Sequence, residues 1–289
     1  MVYHSGIGVL AVVLTALFFK AITAFGGTAH SREALWAGAA PLGDGTPDNA
    51  KAYITVYKPE NPNGRVVVIC PGGGYGGLVT KGEGSGIAKW LNKHGIMGVV
   101  LEYRLPHGKC YRPLMDAQQA IRTVRFRAKE LGCKPDQIGI IGFSAGGHLA
   151  STAATHFDAG KPDSDDPIEK VSCRPDFAIL IYPVISMGPK GHGGTARNLL
   201  GSNPSAEMVE LFSNEKQVTA ETPPCFLAHA QDDTVVVPDN SRMFYDELIK
   251  CKVSAKYLKL ESGGHGLNGY KGPMWDKWQA QSVEWMKEL

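Results

Sequence analysis

The chain has 289 residues, of which 43% are hydrophobic and 20% charged, a composition typical of a folded globular protein. Its 30 basic and 28 acidic residues leave a net charge of only +2, and no basic run is long enough to predict a nucleic-acid surface. A chain of this length is compatible with one large α/β domain or two small ones.

The N-terminal segment differs from the rest of the chain in hydropathy. Residues 7–19 form an uncharged apolar run that is short for a bilayer span, and small residues follow it. Ala24 and Gly26 fit a signal-peptidase site, so we predict a signal peptide over about residues 1–29 and a secreted or periplasmic mature chain without stable membrane insertion. An uncleaved anchor is the alternative, because His4 precedes the run but no lysine or arginine does.

Beyond this segment, short β-branched runs alternate with helical stretches. The predicted strands are 52–59, 65–72, 96–105, 137–143, 177–185, 225–231 and 255–260. The predicted helices are 84–94, 113–131, 144–156, 205–213, 239–250 and 275–288. This alternation predicts an α/β fold in one domain over residues 30–289, with a mostly parallel sheet of about seven or eight strands covered on both faces. Ligands bind such a sheet at the carboxyl ends of its strands.

The segment GFSAG, residues 142–146, places a serine between a predicted strand and a predicted helix. A nucleophile on a strained turn requires this context, and Gly142 and Gly146 leave room for the tight backbone. The helix start favours a developing negative charge, and the Ala145 N–H is placed to donate to an oxyanion. Ser144 is the predicted nucleophile; the alternative is a glycine-rich turn with a capping serine.

A second glycine-rich loop, CPGGGYGGL at residues 70–78, begins at the end of the predicted strand 65–72. Consecutive glycines expose backbone N–H groups, and beside a nucleophilic serine such a loop supplies the second oxyanion donor, here Gly73 or Gly74. A phosphate-binding loop is the alternative. The segment matches neither G-x-G-x-x-G nor G-x-x-x-x-G-K-[ST], which favours the oxyanion role.

An acid and a histidine follow on two later strand-end loops. A carboxylate after the sixth predicted strand can fix the tautomer of a histidine, and Asp232 and Asp233 are both candidates. His265 lies among glycines after the last strand, in a loop too open to bury it, and is the predicted general base. His148, four residues after the serine on the following helix, is more typical of a packing residue or of one that supports the site residues from behind.

The motifs PGGGYGGL, YRLP, GFSAGGHLAS, HAQDD and GGHG together resemble the serine esterases of the α/β-hydrolase superfamily, in particular bacterial carbohydrate esterases of the acetylxylan-esterase and feruloyl-esterase type. The resemblance covers about residues 50–288. Such relatives carry the acid four residues after a histidine, and counting from His229 favours Asp233 over Asp232. The chain departs from lipases with an HGGG loop, because Pro71 stands where those have the histidine. The VVVP segment after the candidate acids is one residue longer than the resemblance implies, which counts against Asp233.

The resemblance implies a secreted carboxylic ester hydrolase that removes acyl groups, most of all acetyl, from a plant-type polysaccharide such as xylan. A triad of Ser144, His265 and Asp233 would act through an acyl-enzyme, without cofactor or metal. Feruloyl-esterase and general short-chain carboxylesterase activity are alternatives. Two other functional classes remain as alternatives. One is a peptidase of the prolyl-oligopeptidase type, but 289 residues are too few for the propeller domain that such enzymes usually carry. The other is a non-catalytic binding protein on the same scaffold.

Side chains near the predicted site suggest substrate contacts. Tyr75, Tyr270 and Trp275, with the neighbouring Met274, are predicted to stack on sugar rings, and plain packing is the alternative. Glu83 is predicted either to anchor the oxyanion loop or to cap the helix that follows it.

The six cysteines are compatible with disulfides in an exported protein. Cys70 and Cys225 lie in apolar predicted strands and are expected in the core. The pairing of the other four stays open. The chain has no C-x-x-C segment, so a zinc site of that kind is not predicted.

Overall fold

The computed structural model describes residues 30–289, so the predicted signal peptide lies outside the described residues. The strands are β1 (His30–Ala34), β2 (Ala40–Pro41), β3 (Pro47–Asp48), β4 (Tyr53–Tyr57), β5 (Val66–Cys70), β6 (Met97–Glu102), β7 (Ile138–Phe143), β8 (Phe177–Ile181), β9 (Cys225–Ala230) and β10 (Ala255–Leu260). The helices are α1 (Gly86–Asn92), α2 (Tyr111–Phe126), α3 (Ala128–Leu131), α4 (Ala145–Thr155), α5 (Gly193–Leu200), α6 (Ala206–Leu211), α7 (Asp239–Lys250), the distorted turn α8 (Leu267–Tyr270) and α9 (Pro273–Lys287). A π-helical turn, Lys81–Ser85, precedes α1, and a 3₁₀ turn, Asn214–Lys216, follows α6.

Eight strands form one sheet in the order β1-β4-β6-β5-β7-β8-β9-β10, and β2 pairs with β3 in a separate hairpin. Strand β4 is antiparallel to both β1 and β6. All other neighbours in the sheet are parallel. The predicted α/β fold with a mostly parallel sheet is confirmed. Because parallel strands end at the same edge, the loops after β5, β7, β9 and β10 meet there.

The sheet is covered on both faces because its central strands are apolar at successive positions. In β5, Val66 and Val68 face the layer formed by α2, α4 and α7, whereas Val67 and Ile69 face α1 and α9. Trp278 on α9 is fully buried in the second layer. Such two-sided burial makes the sheet a rigid support for the loops at its edge.

The seven predicted strands are present, most with shortened ends. The run 177–185 ends as a strand at Ile181, because Tyr182 adopts a φ of 39°, outside the extended region. The predicted helix 113–131 is interrupted at Arg127, which separates α2 from α3.

The elements that were not predicted are β1, the β2–β3 hairpin, α5 and two short turns, the 3₁₀ turn after α6 and the distorted turn α8. The sequence of β1, HSREA, is polar and mostly exposed, so it contains no apolar run. Helix α5 begins with two glycines, which are poor helix formers. Its N-terminus is capped instead by the ring of His192, which accepts a hydrogen bond from the Thr195 N–H.

The cysteines carry free thiols throughout residues 30–289. Cys70 and Cys225 are fully buried in the core, as predicted. No helix within the same range is long and apolar enough to cross a membrane.

Candidate active site

Ser144 occupies the turn between β7 and α4, at the carboxyl edge of the sheet. Its φ of 53° and ψ of −119° lie outside the regions that a residue with a side chain normally adopts. Glycines make the turn possible: a Cβ on Gly142 would overlap the carbonyl of Gly146, and a Cβ on Gly146 would overlap the carbonyls of Cys70 and Pro71. The local sequence thus supports a strained turn that presents the serine at the edge of the sheet.

His265, on the loop after β10, bridges Ser144 and Asp233. Its Nε2 lies 2.9 Å from Ser144 Oγ, and its Nδ1 lies 2.8 Å from Asp233 Oδ2. An ionised carboxylate only accepts, so Nδ1 carries the proton of the neutral ring and Nε2 is left as an acceptor. This arrangement can take the proton of the serine hydroxyl.

Asp233 is a buried carboxylate with several donors around it. Its Oδ1 accepts the backbone N–H groups of Val235 at 2.9 Å and Val236 at 3.0 Å. Burial opposes its charge, but the hydrogen bonds of His229 and His265 and the positive charge of His265 hold the pKa of Asp233 well below its usual value. The carboxylate is therefore ionised wherever the histidine acts as a base.

Asp232 has a different position from its neighbour. Its side chain is exposed and accepts the backbone N–H groups of Gly263 at 3.1 Å and Gly264 at 2.9 Å. It therefore contacts the loop that carries His265, while Asp233 contacts the imidazole itself. Of the two candidates for the acid, the structure brings only Asp233 to the ring.

The loop after β5 presents free backbone donors beside the serine. Gly73 and Gly74 line the same cavity as Ser144, and their φ values of 127° and 62° favour glycine. The N–H groups of Gly73, Gly74 and Ala145 have no hydrogen-bond partner within residues 30–289. Free backbone donors in the loop that lines this cavity and at the start of α4 are the kind of group that binds a negatively charged oxygen.

Glu83 connects the oxyanion loop to the histidine. Its Oε2 accepts the Gly72 N–H at 2.7 Å, and its Oε1 accepts the Tyr182 hydroxyl at 2.9 Å. The Tyr182 ring packs edge-on against His265, with centroids 5.0 Å apart. Burial raises the pKa of Glu83 despite these hydrogen bonds. Of its two predicted roles, Glu83 takes that of an anchor for the oxyanion loop.

Burial corrects two of the predicted sugar contacts. Tyr75 is only 1% exposed, and its hydroxyl lies 2.9 Å from Nδ1 of the buried His148. Trp275 is 7% exposed and packs against Phe143 and Trp278. Neither ring offers a face to a sugar, because each is enclosed by other side chains.

A cavity of about 250 Å³ lies over Ser144 and His265. Tyr270, the third predicted contact, lines it, as do Val235 and His192. Nothing in the local sequence selects His192, because the two glycines after it are typical of a loop. No cluster of three or more His, Cys, Asp or Glu side chains able to hold a metal ion occurs between residues 30 and 289.

The eight-stranded sheet, the strained serine turn after a central strand and the histidine after the last strand define the α/β-hydrolase class. Within that class, the chain belongs to the BD-FAE family, whose model matches residues 54–248. The predicted resemblance to bacterial carbohydrate esterases is confirmed.

Two curated relatives have names that refer to xylan. The chain is 36% identical over 251 residues to an acetylxylan esterase of Xylanibacter ruminicola, and 35% identical over 218 residues to endo-1,4-beta-xylanase B of Butyrivibrio fibrisolvens. These alignments cover 84% and 73% of this chain but 49% and 34% of the relatives. The chain thus spans about half or less of their length.

Solved structures share the fold. An acetyl ester-xyloside bifunctional hydrolase of Caldicellulosiruptor lactoaceticus matches with a TM-score of 0.84 and 37% identity, covering 89% of this chain and 96% of that one. The carboxylesterase Cest-2923 of Lactobacillus plantarum matches with a TM-score of 0.68 and 24% identity, covering 90% and 94% of the two chains. The second likeness concerns the fold alone.

Proposed function

We propose that the chain is a secreted serine esterase that hydrolyses acyl esters, acetyl esters above all, on a plant-type polysaccharide such as xylan. The observation that carries this proposal is the contact series from Ser144 Oγ through His265 to Asp233, at 2.9 and 2.8 Å, beside free backbone donors. Relatives named for acetylated xylan and xylosides support the substrate class. The apolar run at residues 7–19 supports export, with residues 30–289 as the catalytic domain.

The proposed reaction is a two-step acyl transfer. His265 removes the proton of Ser144, and Oγ attacks the ester carbonyl carbon; the carbonyl oxygen becomes negative and binds the N–H groups of Ala145 and of Gly73 or Gly74. Asp233 stabilises the resulting imidazolium, which then protonates the leaving alcohol. Water, deprotonated by the same histidine, attacks the acyl-enzyme and releases the acid.

The relatives support a short acyl group, because two of them are named for acetyl esters. The cavity has a volume of about 250 Å³, and Tyr270, Val79 and Val235 are among its walls. An acetyl methyl needs only a small apolar space, whereas a feruloyl group needs a long cleft. Feruloyl esters and simple short-chain esters are the second choices for this site.

One assay set tests the proposal. We expect the purified protein to hydrolyse p-nitrophenyl acetate and acetylated xylan faster than methyl ferulate, and Ser144→Ala to abolish all three activities. The control is Ser254→Ala, which removes an exposed hydroxyl at the opposite edge of the sheet. Activity that survives Ser144→Ala would rule out the mechanism. Hydrolysis confined to a proline-containing peptide anilide would favour a peptidase.

A further inference from the structure

Helix α5 contacts both sides of the catalytic pocket. Asn198 on α5 donates from Nδ2 to the carbonyl of Gly74 at 2.9 Å, so the helix touches the oxyanion loop. His192, directly before α5, lines the cavity together with Ser144 and His265. The segment after β8 therefore forms part of the wall above the serine.

The hydrogen bonds of His192 define which ring nitrogen carries the proton. Nδ1 lies 3.2 Å from the backbone nitrogen of Thr195 and 2.8 Å from its hydroxyl. A backbone N–H can only donate, so Nδ1 is an acceptor and the proton of the neutral ring is on Nε2. Nε2 has no partner among residues 30–289, and the side chain is half-buried. The ring of His192, which lines the pocket, thus has a fixed orientation and one free N–H donor.

Resting on the function proposed above, we propose that His192 Nε2–H binds a sugar hydroxyl of the leaving alcohol, close to the esterified oxygen. The acyl carbonyl oxygen already has donors in the loop of Gly73 and Gly74 and at Ala145. An acetyl methyl has no polar atom to accept another hydrogen bond. The hydroxyl oxygens of a pyranose do accept one, so the Nε2–H of His192 fits the alcohol side of the substrate.

This role makes His192 a specificity determinant rather than a catalytic residue. One neutral hydrogen bond to a substrate group changes kcat/KM by about fivefold. The effect depends on the substrate: it requires an alcohol with a free hydroxyl next to the ester. An aryl acetate has no such group and forgoes the contact.

The test compares two substrates in two variants, with methyl ferulate as a third substrate that probes the acyl side. The measured quantity is the ratio of kcat/KM on a monoacetylated xyloside with free hydroxyls to kcat/KM on p-nitrophenyl acetate. We expect this ratio to fall about fivefold in His192→Ala and in His192→Asn. Asparagine is a favourable N-cap, so it keeps an acceptor for the Thr195 N–H and preserves α5 while removing the distal donor. His94→Asn, an exposed histidine at the opposite edge of the sheet, is the control.

Each other outcome has a distinct meaning. An equal loss on both substrates would show that His192 acts through α5 and the oxyanion loop, and would overturn the proposal. A fall in His192→Ala that His192→Asn restores would assign the effect to the helix cap and would overturn it as well. A selective loss on methyl ferulate would place the contact on the acyl side, which also contradicts the proposal. Failure of the proposed function itself is separate, because it would appear as hydrolysis that survives Ser144→Ala.

Discussion

The two loops that meet at Ser144 are held in opposite ways. The oxyanion loop, residues 70–78, is fixed from the interior, where Glu83 accepts the Gly72 N–H and the buried Tyr103 hydroxyl donates to the Pro71 carbonyl at 2.7 Å. The histidine loop, residues 261–266, is fixed from the surface by the exposed Asp232. The base of one loop rests on buried side chains, with one exposed contact from Asn198 nearer its tip, and the other loop rests on a solvated carboxylate.

The difference corresponds to what each loop has to do in the proposed reaction. Backbone donors stabilise a developing charge only if they are aligned beforehand, so their support must be rigid. A buried hydrogen bond gives that rigidity, because breaking it leaves an unsatisfied polar group in the interior. His265 has only to stay within reach of the serine while its own partner, Asp233, orients the ring. An exposed hydrogen-bond acceptor such as Asp232 is sufficient for that.

The largest effect expected from this comparison is that of Glu83→Ala. The change leaves the Gly72 N–H and the Tyr182 hydroxyl without their buried acceptor, so the neighbouring donors lose their alignment. We expect kcat per reactive serine to fall about a hundredfold, the scale of losing one oxyanion donor. The measurement is p-nitrophenyl acetate hydrolysis, normalised by titration of the reactive serine.

Titration of the reactive serine distinguishes a loss of donor alignment from a loss of folded protein. If Glu83 served stability alone, fewer molecules would carry a reactive serine, but each would turn over at the normal rate, which would contradict the prediction. Glu83→Gln keeps one acceptor oxygen and should recover part of kcat. Glu60→Ala, at an exposed glutamate away from the pocket, is the control.

The residues of the site differ in how far the sequence alone could place them. Ser144 and His265 could be selected because each lies on the connection that follows a predicted strand, and strand ends are positioned by the sheet. Tyr75 could not be placed, because a tyrosine between glycines gives no sign that its φ of 59° turns the ring inward. Its partner offered a clue: His148 lies on an apolar helix, and a buried histidine needs hydrogen-bond partners.

His192 and Glu83 show a second limit of sequence reasoning. The pocket position of His192 depends on how α5 packs over the oxyanion loop, through a contact between Asn198 and Gly74, which are far apart in sequence. The choice between the two roles of Glu83 depended likewise on its contact to Gly72 in the folded loop. Fold and strand-end chemistry are encoded locally, whereas the supports around the site are decided by tertiary packing.

A second prediction concerns the free energy of unfolding at acidic pH. His148 supports the oxyanion loop through the Tyr75 hydroxyl at 2.9 Å, and its Nε2 lies 2.8 Å from the Phe212 carbonyl. Burial lowers the pKa of His148 from 6.5 to about 4. Above pH 6.5 neither state binds the proton. As pH falls from 6.5 towards 4, the unfolded chain takes it up and the folded protein does not, so the free energy of unfolding decreases by roughly 3 kcal/mol.

Urea unfolding at pH 7 and pH 4 measures this loss. In His148→Gln the free energy of unfolding should fall less between pH 7 and pH 4, by that amount. Burial also lowers the pKa of the partly buried His156, but this residue is present in both proteins, so its contribution cancels in the comparison. An NMR titration of the wild-type imidazoles gives an independent readout. A His148 signal that titrates near pH 6.5 in the folded protein would contradict the prediction.

The smallest effect is expected at the surface tether. Asp232→Ala removes the acceptor for Gly263 and Gly264, but His265 keeps its hydrogen bond to Asp233, so the loop loosens without losing its catalytic contact. We expect kcat/KM on p-nitrophenyl acetate to fall about threefold, because exposed hydrogen bonds contribute little net free energy. Asp232→Asn, which retains an acceptor oxygen, should lose less, and Asp165→Ala, at an exposed aspartate in another loop, serves as the control. A loss of a hundredfold or more would mean that Asp232 acts on the imidazole itself. The assignment of Asp233 as the acid, and with it the contrast between a buried and a solvated support, would then have to be abandoned.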